Sequence, residues 1–217
     1  MERVVLPERL DSLPIDDPGA LANRRELRWF NRFLGTNAWF RRQLLPRLGS
    51  TDHVLEVGAG EGVLIHDLFS GMREQEKGCR SWTVLDAQPV FRAHPGIRPV
   101  VEDLLRYEAY PDADVIFGNM ILHQFEDDQL GQLGSKWRDH ARLLVFQEPG
   151  RSRFHQLLCS LATLPMSHVS RHDADVSIRA GFRGLELPDL LGLNGGNWDL
   201  QESMTPKGAY RMIAVRK

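Results

Sequence analysis

The stretch Val54-Leu55-Glu56-Val57-Gly58-Ala59-Gly60-Glu61-Gly62 restricts this chain more than any other. Val54, Leu55 and Val57 form an apolar run suited to a strand buried on both faces, which belongs to parallel sheets covered by helices. Gly58, Gly60 and Gly62 follow at intervals of two, so the backbone can turn sharply and approach a ligand where any Cβ would obstruct. A helical pattern begins near Gly62, with Val63, Leu64, Leu68 and Met72 in period and the charged run Arg73 to Lys77 at its end. Strand, glycine turn and helix together predict an α/β sheet with a ligand beyond the strand's C-terminal end.

The glycine spacing separates two ligand classes. A dinucleotide fingerprint puts its third glycine three residues after the second, so that a pyrophosphate sits on the helix N-terminus. Here the third glycine comes two residues after, and Glu56 stands two positions before Gly58, where it would repel a pyrophosphate but could interact with an ammonium group. The order acid-x-Gly-x-Gly-x-Gly resembles the first motif of class I S-adenosylmethionine (SAM) dependent methyltransferases, whose cofactor carries a sulfonium and an amino-acid end in place of phosphates. The resemblance implies cofactor contacts at Glu56, Gly58, Ala59 and Gly60. An NAD(P)-dependent oxidoreductase is the rival, and both the spacing and Glu56 oppose it.

The following segments alternate strand and helix. Trp82 to Leu85 reads as a second strand ending at Asp86, Ile97 to Val101 as a third, Asp114 to Asn119 as a fourth and Ala141 to Phe146 as a fifth. Asn197 to Met204 and Ala209 to Val215 flank Thr205-Pro206-Lys207-Gly208, a hairpin signal. The expected fold is a Rossmann-like, seven-stranded, mostly parallel sheet closed by a C-terminal antiparallel hairpin, with helices on both faces. By the same resemblance, Asp86 with Ala87 would hold the ribose, Asp103 with Leu104 the adenine edge, and Asn119 with Met120 the methionine part. Asn119-Met120-Ile121-Leu122 lacks the Asn/Asp-Pro-Pro-Tyr/Phe pattern of enzymes that methylate nucleobase amino groups.

Residues 1–49 read as an N-terminal helical extension on a methyltransferase domain of residues 50–217. Residues 1 to about 16 form an irregular lead-in, and Asp17-Pro18 marks a helix start. Leu27, Phe30 and Leu34 share one face of that helix, beside Trp29 and Phe33, and Gly35 stops it. A second helix runs from Thr36 or Asn37 to about Leu48, with Trp39, Phe40, Leu44 and Leu45. These aromatics either pack the helices onto the domain or form a lid that excludes water from an apolar pocket. An insertion over about residues 151–172, with a helix near 152–163 and a loop from Leu164 to Arg171, would cover the substrate. A further helix is expected over Glu186 to Leu193.

Asp17-Pro18, Asn23 to Leu27, Asn31 to Gly35, Asn119 to Phe125, Glu148-Pro149 and His172-Asp173-Ala174 together resemble small-molecule methyltransferases often encoded beside type III polyketide synthases, distantly similar to quinone-ring methyltransferases. Those relatives usually carry a second histidine where Gln124 stands. The resemblance implies a small, partly apolar acceptor, a phenolic or polyketide-like hydroxyl. C-methylation of an activated ring, a protein acceptor and a non-catalytic SAM-binding module are the alternatives.

Removing a hydroxyl proton calls for a base near the methyl donor, and assistance of this kind contributes about 10²–10⁴-fold. His123, in the loop after the fourth strand, is the first candidate; the alternative is a histidine that hydrogen-bonds loop backbone. His172, held by Asp173, is the second, unless Asp173 caps a helix. His155 and His168 could line the pocket. No histidine pair shows a metal-ligand pattern, so no metal is expected. Net charge −2 and a pI near 6.4 give no reason to expect nucleic acid. Cys79 and Cys159 make no disulfide framework, which suits a reducing cytoplasm. No signal peptide and no apolar run near the ~20 residues of a membrane span are visible. Oligomeric state is left open.

Overall fold

A computed structural model of the chain describes residues 1–74 and 78–217, so the end of the charged run Arg73 to Lys77 lies outside the described residues. Five parallel strands, β1 (His53–Val57), β2 (Ser81–Asp86), β3 (Ile97–Val101), β4 (Val115–Asn119) and β5 (Leu143–Pro149), pair in one sheet with the hairpin β6 (Trp198–Met204) and β7 (Ala209–Arg216). The order is β3-β2-β1-β4-β5-β7-β6, with β7 antiparallel to both neighbours. This is the expected topology.

Alternation along the strands builds two cores. Val54, Val115, Phe117, Leu143 and Val145 face one side with Trp39, Phe40, Ile65 and Leu68. Leu55, Ile116, Leu144 and Phe146 face the other with Leu130, Trp137 and Leu191. The first side is covered by helices α3 (Thr36–Leu44) and α4 (Val63–Glu74), the second by α5 (Asp127–Arg138) and α8 (Glu186–Leu190). Gly192, at φ 67°, ends α8 short of the expected Leu193. Pro46 has no N–H to donate to the α-helical ladder, and α3 gives way there to a 3-10 turn, Leu45–Arg47.

The remaining helices lie on the C-terminal side of the strands. Helix α2 (Pro18–Leu34) starts as expected, with the Asp17 carboxylate accepting from the Gly19 and Ala20 N–H groups, and stops at Gly35, φ 70°. Of its expected apolar face Leu34 is buried, whereas Leu27 is exposed, as are Trp29 and Phe33. Helices α6 (Arg153–Ala162) and α7 (His168–Ala180) form the insertion.

Two expectations are corrected. Residues 1–16 are not wholly irregular, because a helical turn, α1 (Arg9–Ser12), is capped from α7: the Asp173 carboxylate accepts from Arg9 N–H (2.8 Å) and Leu10 N–H (3.1 Å). The loop expected over Leu164 to Arg171 ends at Ser167, whose hydroxyl accepts from Ser170 N–H and whose N–H donates to Glu26 (3.0 Å), starting α7 at His168. Asp173 therefore sits inside α7 instead of capping it.

Candidate active site

Because β1 to β4 are parallel and adjacent, their C-terminal ends bring Glu56, Asp86, Asp103 and Asn119 to one edge of the sheet. Gly58 (φ 64°) donates its N–H to Leu85 O at 2.8 Å. A Cβ there would lie 2.4 Å from Ile121 Cγ1, so only glycine fits. A Cβ on Gly60 (φ 53°) would meet nothing within 4 Å, so this position opens towards the site. Gly60 N–H donates to Asp86 Oδ2 (2.7 Å) and Gln88 N–H to Oδ1 (2.8 Å), which fixes the carboxylate and leaves each oxygen a lone pair for a ligand hydroxyl. Ala59 lies half-buried in the cradle and Ala87 is exposed beside it. Asp103 is exposed, its Oδ1 accepting from Leu105 N–H, while Leu104 is buried below.

Glu56 is 2% exposed and accepts a hydrogen bond from Ile65 N–H, but its Oε2 has no partner among the described residues. Burial pushes its carboxyl well above the ordinary range, and the Asp86 charge adds to this. A buried acceptor left unpaired is costly unless a ligand cation or donor meets it.

Behind Asn119 runs a chain of amides with a fixed direction. Arg211, a donor only, gives Nε–H to Gln147 Oε1 (2.9 Å). Gln147 must then donate from Nε2, to Thr36 Oγ1 (2.7 Å) and Asn119 Oδ1 (3.0 Å). Asn119 in turn donates from Nδ2 to Asn31 Oδ1 on α2 (3.2 Å). The guanidinium thus sets which end of Asn119 faces which way, and ties α2 to β4 and β5.

The chain after β4 turns through Met120, a non-glycine residue at φ 57°, whose N–H donates to Gln147 O (2.8 Å). This turn aims the next three backbone N–H groups at Glu148: Ile121 and Leu122 donate to Oε1 at 3.2 and 2.9 Å, and His123 to Oε2 at 3.3 Å. The His123 ring adds Nδ1 to Glu148 Oε2 at 2.7 Å, while Nε2 lies 3.1 Å from Glu8 Oε1 on the segment of residues 1–16 that precedes α2, the N-terminal strap. Burial alone would depress the imidazole, but hydrogen bonds and charge from Glu148 and Glu8 outweigh it and raise His123 to about 9. At neutral pH the ring is an imidazolium clamped between two carboxylates.

Glu8 also accepts from Gln124 Nε2 (3.1 Å) and the Ser177 hydroxyl. Gln124 thus serves the strap, at the position where the methyltransferases this sequence resembles usually carry a second histidine. Arg3 anchors the strap's start, donating to Phe125 O (2.6 Å), Asp127 (2.5 Å) and Ala180 O (2.9 Å). A cavity of about 200 Å³ remains between the strap and residues 124–126, lined by Leu6, Glu8, Asp11 and Gln124. His172 is half-buried with Nδ1 3.1 Å from Asp173 Oδ1, so it borders the strap's cap; among the described residues its side chain hydrogen-bonds Asp173 and not His123. The imidazole of His155 lies against Gly208, and His168 is exposed near Arg9. No cluster that could hold a metal occurs among the described residues.

Sequence reasoning passed over Glu8, Gln147 and the role of Glu148. Gln147-Glu148 did carry a signal, as a polar pair closing the otherwise apolar strand Leu143–Phe146, all of it buried. Glu8 carried none, since its contact spans 115 residues.

No protein-family model matches the chain, and no curated protein matches it by sequence. Solved structures share its fold, which is that of SAM-dependent methyltransferases. The plantazolicin methyltransferase BpumL in complex with SAH is similar over 94% of this chain and 92% of that one, with TM-score 0.69 and 12% identity. Human N-acetylserotonin methyltransferase in complex with SAM has TM-score 0.56 and 15% identity over 96% of this chain. The pyocyanin biosynthetic protein PhzM has TM-score 0.56 and 19% identity over 93%. This chain spans 62% of the length of each of the last two.

Proposed function

We propose that the protein is a SAM-dependent methyltransferase that methylates a hydroxyl of a small, partly apolar acceptor of phenolic or polyketide-like kind. The observation that carries the cofactor is Glu56 Oε2, buried and unpaired on β1 two residues before the glycine cradle. An ammonium there would satisfy it, Asp86 has lone pairs for ribose hydroxyls, and Gly60 leaves room for the ligand. Similar structures that hold SAH or SAM support the same reading.

When bound, SAM supplies an electrophilic methyl on a sulfonium. Glu56 and Asp86 would hold it, with Gly58, Ala59, Gly60 and Ala87 beside them, Asp103 and Leu104 would serve the adenine, and Asn119 and Met120 the methionine part. His123 takes the acceptor's proton at Nε2 while its Nδ1–H donates to Glu148 Oε2, which keeps the tautomer fixed. That role requires Glu8 to leave Nε2. The cavity under the strap is below the ~300–1,000 Å³ usual for ligand pockets, so acceptor entry and strap displacement go together. Residues 1–49 then act as a lid, residues 151–172 as the acceptor's cover, and His172 as a second polar group at its edge.

Calorimetric titration with SAM and, separately, with NAD(H) and NADP(H) tests the cofactor. Micromolar binding of SAM alone is expected, followed by turnover of phenols in an acceptor screen. Binding of a nicotinamide cofactor instead would sink the reading, and SAM binding without any turnover would favour a non-catalytic module.

A further inference from the structure

Helix α6 is inside out. An amphipathic helix on a water-soluble domain buries its apolar stripe. Here the stripe Phe154, Leu157, Leu158, Leu161, continued by Leu164, is exposed by 62, 60, 40, 57 and 63%. The polar side faces α7: Gln156 Nε2 donates to Asp175 Oδ1 (2.7 Å), Cys159 and Thr163 are buried, and the Thr163 hydroxyl donates back to Cys159 O. A row of large apolar side chains this continuous marks a surface that something apolar covers.

The stripe does not end with α6. At one end, the His155 ring lies against Gly208 of the β6–β7 turn, whose Lys207 ammonium donates to Phe33 O (2.6 Å) and lies 4.6 Å over the Phe33 ring. Exposed Trp29 stacks on Phe33 with centroids 5.9 Å apart. At the other end Ser167 is held by Glu26 of the same helix α2. Helices α2 and α6 both pack on α7, and the β6–β7 turn bridges His155 of α6 and Phe33 of α2, beside which Trp29 adds exposed apolar surface.

Charge selects the occupant. From Pro149 to His172 the chain has no Asp or Glu, although acidic residues number 29 in 217 overall. Arg153 and Arg171 are exposed around the α6 stripe, and Arg25, Arg32 and Lys207 around the α2 aromatics. A second copy would bring this basic rim against itself, whereas an anionic bilayer surface would attract it while taking the leucines, phenylalanines and tryptophan into the headgroup boundary.

We propose that the α6 stripe, with Trp29 and Phe33, is an interfacial docking surface for anionic membranes. It places the strap and the sheet's C-terminal edge next to the lipid, a route by which a partly apolar acceptor reaches the site without crossing water. No helix of the described residues is long and apolar enough to span a bilayer, so the contact is peripheral.

The full-length protein is sedimented with vesicles of phosphatidylcholine alone and of phosphatidylcholine with one third phosphatidylglycerol. Expected is at least tenfold stronger binding to the anionic vesicles, weakened by salt. The double variant Leu157→Gln/Leu161→Gln should lose it, and Arg153→Gln/Arg171→Gln should weaken it severalfold, both with unchanged thermal unfolding and SAM affinity. Equal binding to both vesicle types, binding to neither, or retention in the leucine variant would overturn the proposal. So would a concentration-dependent dimer in analytical ultracentrifugation that the leucine variant abolishes, which would assign the face to a second copy. SAM affinity, read separately, reports on the proposed function and leaves this inference untouched.

Discussion

Glu8→Gln tests whether the strap sets the charge state of His123. The imidazole moves from an ordinary 6.5 to about 9 against an opposing burial effect, so the two carboxylates together contribute at least ~3 kcal/mol at ~1.4 kcal/mol per unit. Glu148 is the closer partner, 2.7 against 3.1 Å, and is fully buried where Glu8 is 12% exposed, so Glu8 supplies the smaller share. As the smaller share of that total, Glu8 contributes on the order of 1 kcal/mol. A folded-state pKa raised above the unfolded value means stability that is fully present below about 6.5 and is lost as pH rises through about 9. The variant should therefore be about 1–2 kcal/mol less stable than wild type in mildly acid solution, and the difference should shrink on the alkaline side of 9. Urea denaturation across that range measures the difference, and the His123 Cε1–H resonance reads the titration directly. A resonance that titrates in Glu8→Gln as in wild type, with a pH-independent stability loss, would refute the charge clamp.

Other predictions concern the cofactor cradle and its support. SAM binding should release a proton as Glu56 ionises against the ammonium, so affinity should rise with pH and calorimetric heats should depend on buffer ionisation enthalpy; Glu56→Gln should abolish both dependences and weaken binding. Gly58→Ala forces a Cβ to 2.4 Å from Ile121 at positive φ and should cost about 2–4 kcal/mol by thermal or urea unfolding, whereas Gly60→Ala carries the conformational penalty alone, ~1–2 kcal/mol, and should mainly weaken SAM. Arg211→Met removes the donor that directs Gln147 and should lower SAM affinity severalfold, while Asn119→Asp should do so by repelling the cofactor carboxylate; wild-type titration curves for both would detach the amide chain from the cofactor site.

The parts of this fold that were legible in sequence are those set by local pattern. Val54 to Gly62 encodes strand and turn within nine residues and leads directly into α4, and Asp17-Pro18 and Gly35 bracket α2 through capping chemistry. What escaped was set by tertiary partners. The turn of α1 forms because Asp173, 164 residues away, caps it, and α7 starts early because Glu26 on another helix holds Ser167. Leu157 and Leu161 show a helical period, but periodicity gives the stripe and not the side it faces, and α6 turns it outward.

The same distinction bears on the proton. Glu148 reaches His123 through three converging backbone N–H groups and would keep the ring oriented with or without the strap. Glu8 belongs to a segment held by Arg3, Gln124, Ser177 and Asp173, all contacts that can break without disturbing the sheet. Glu148 thus fixes the ring's orientation and supplies the larger share of the charge effect, and Glu8 supplies the share that can be withdrawn. With both in place the ring holds its proton and cannot act as a base; with Glu8 withdrawn, Nε2 is freed and Nδ1–H still donates to Glu148. An acceptor hydroxyl that takes Glu8's place at Nε2 would therefore meet a ring whose hold on its proton the same movement has weakened. Catalysis in the proposed reaction would then depend on strap opening in its pH profile: Glu8→Gln should shift the acid limb of kcat/KM downward by the drop in His123 pKa, and an unshifted limb would separate the strap from the chemistry.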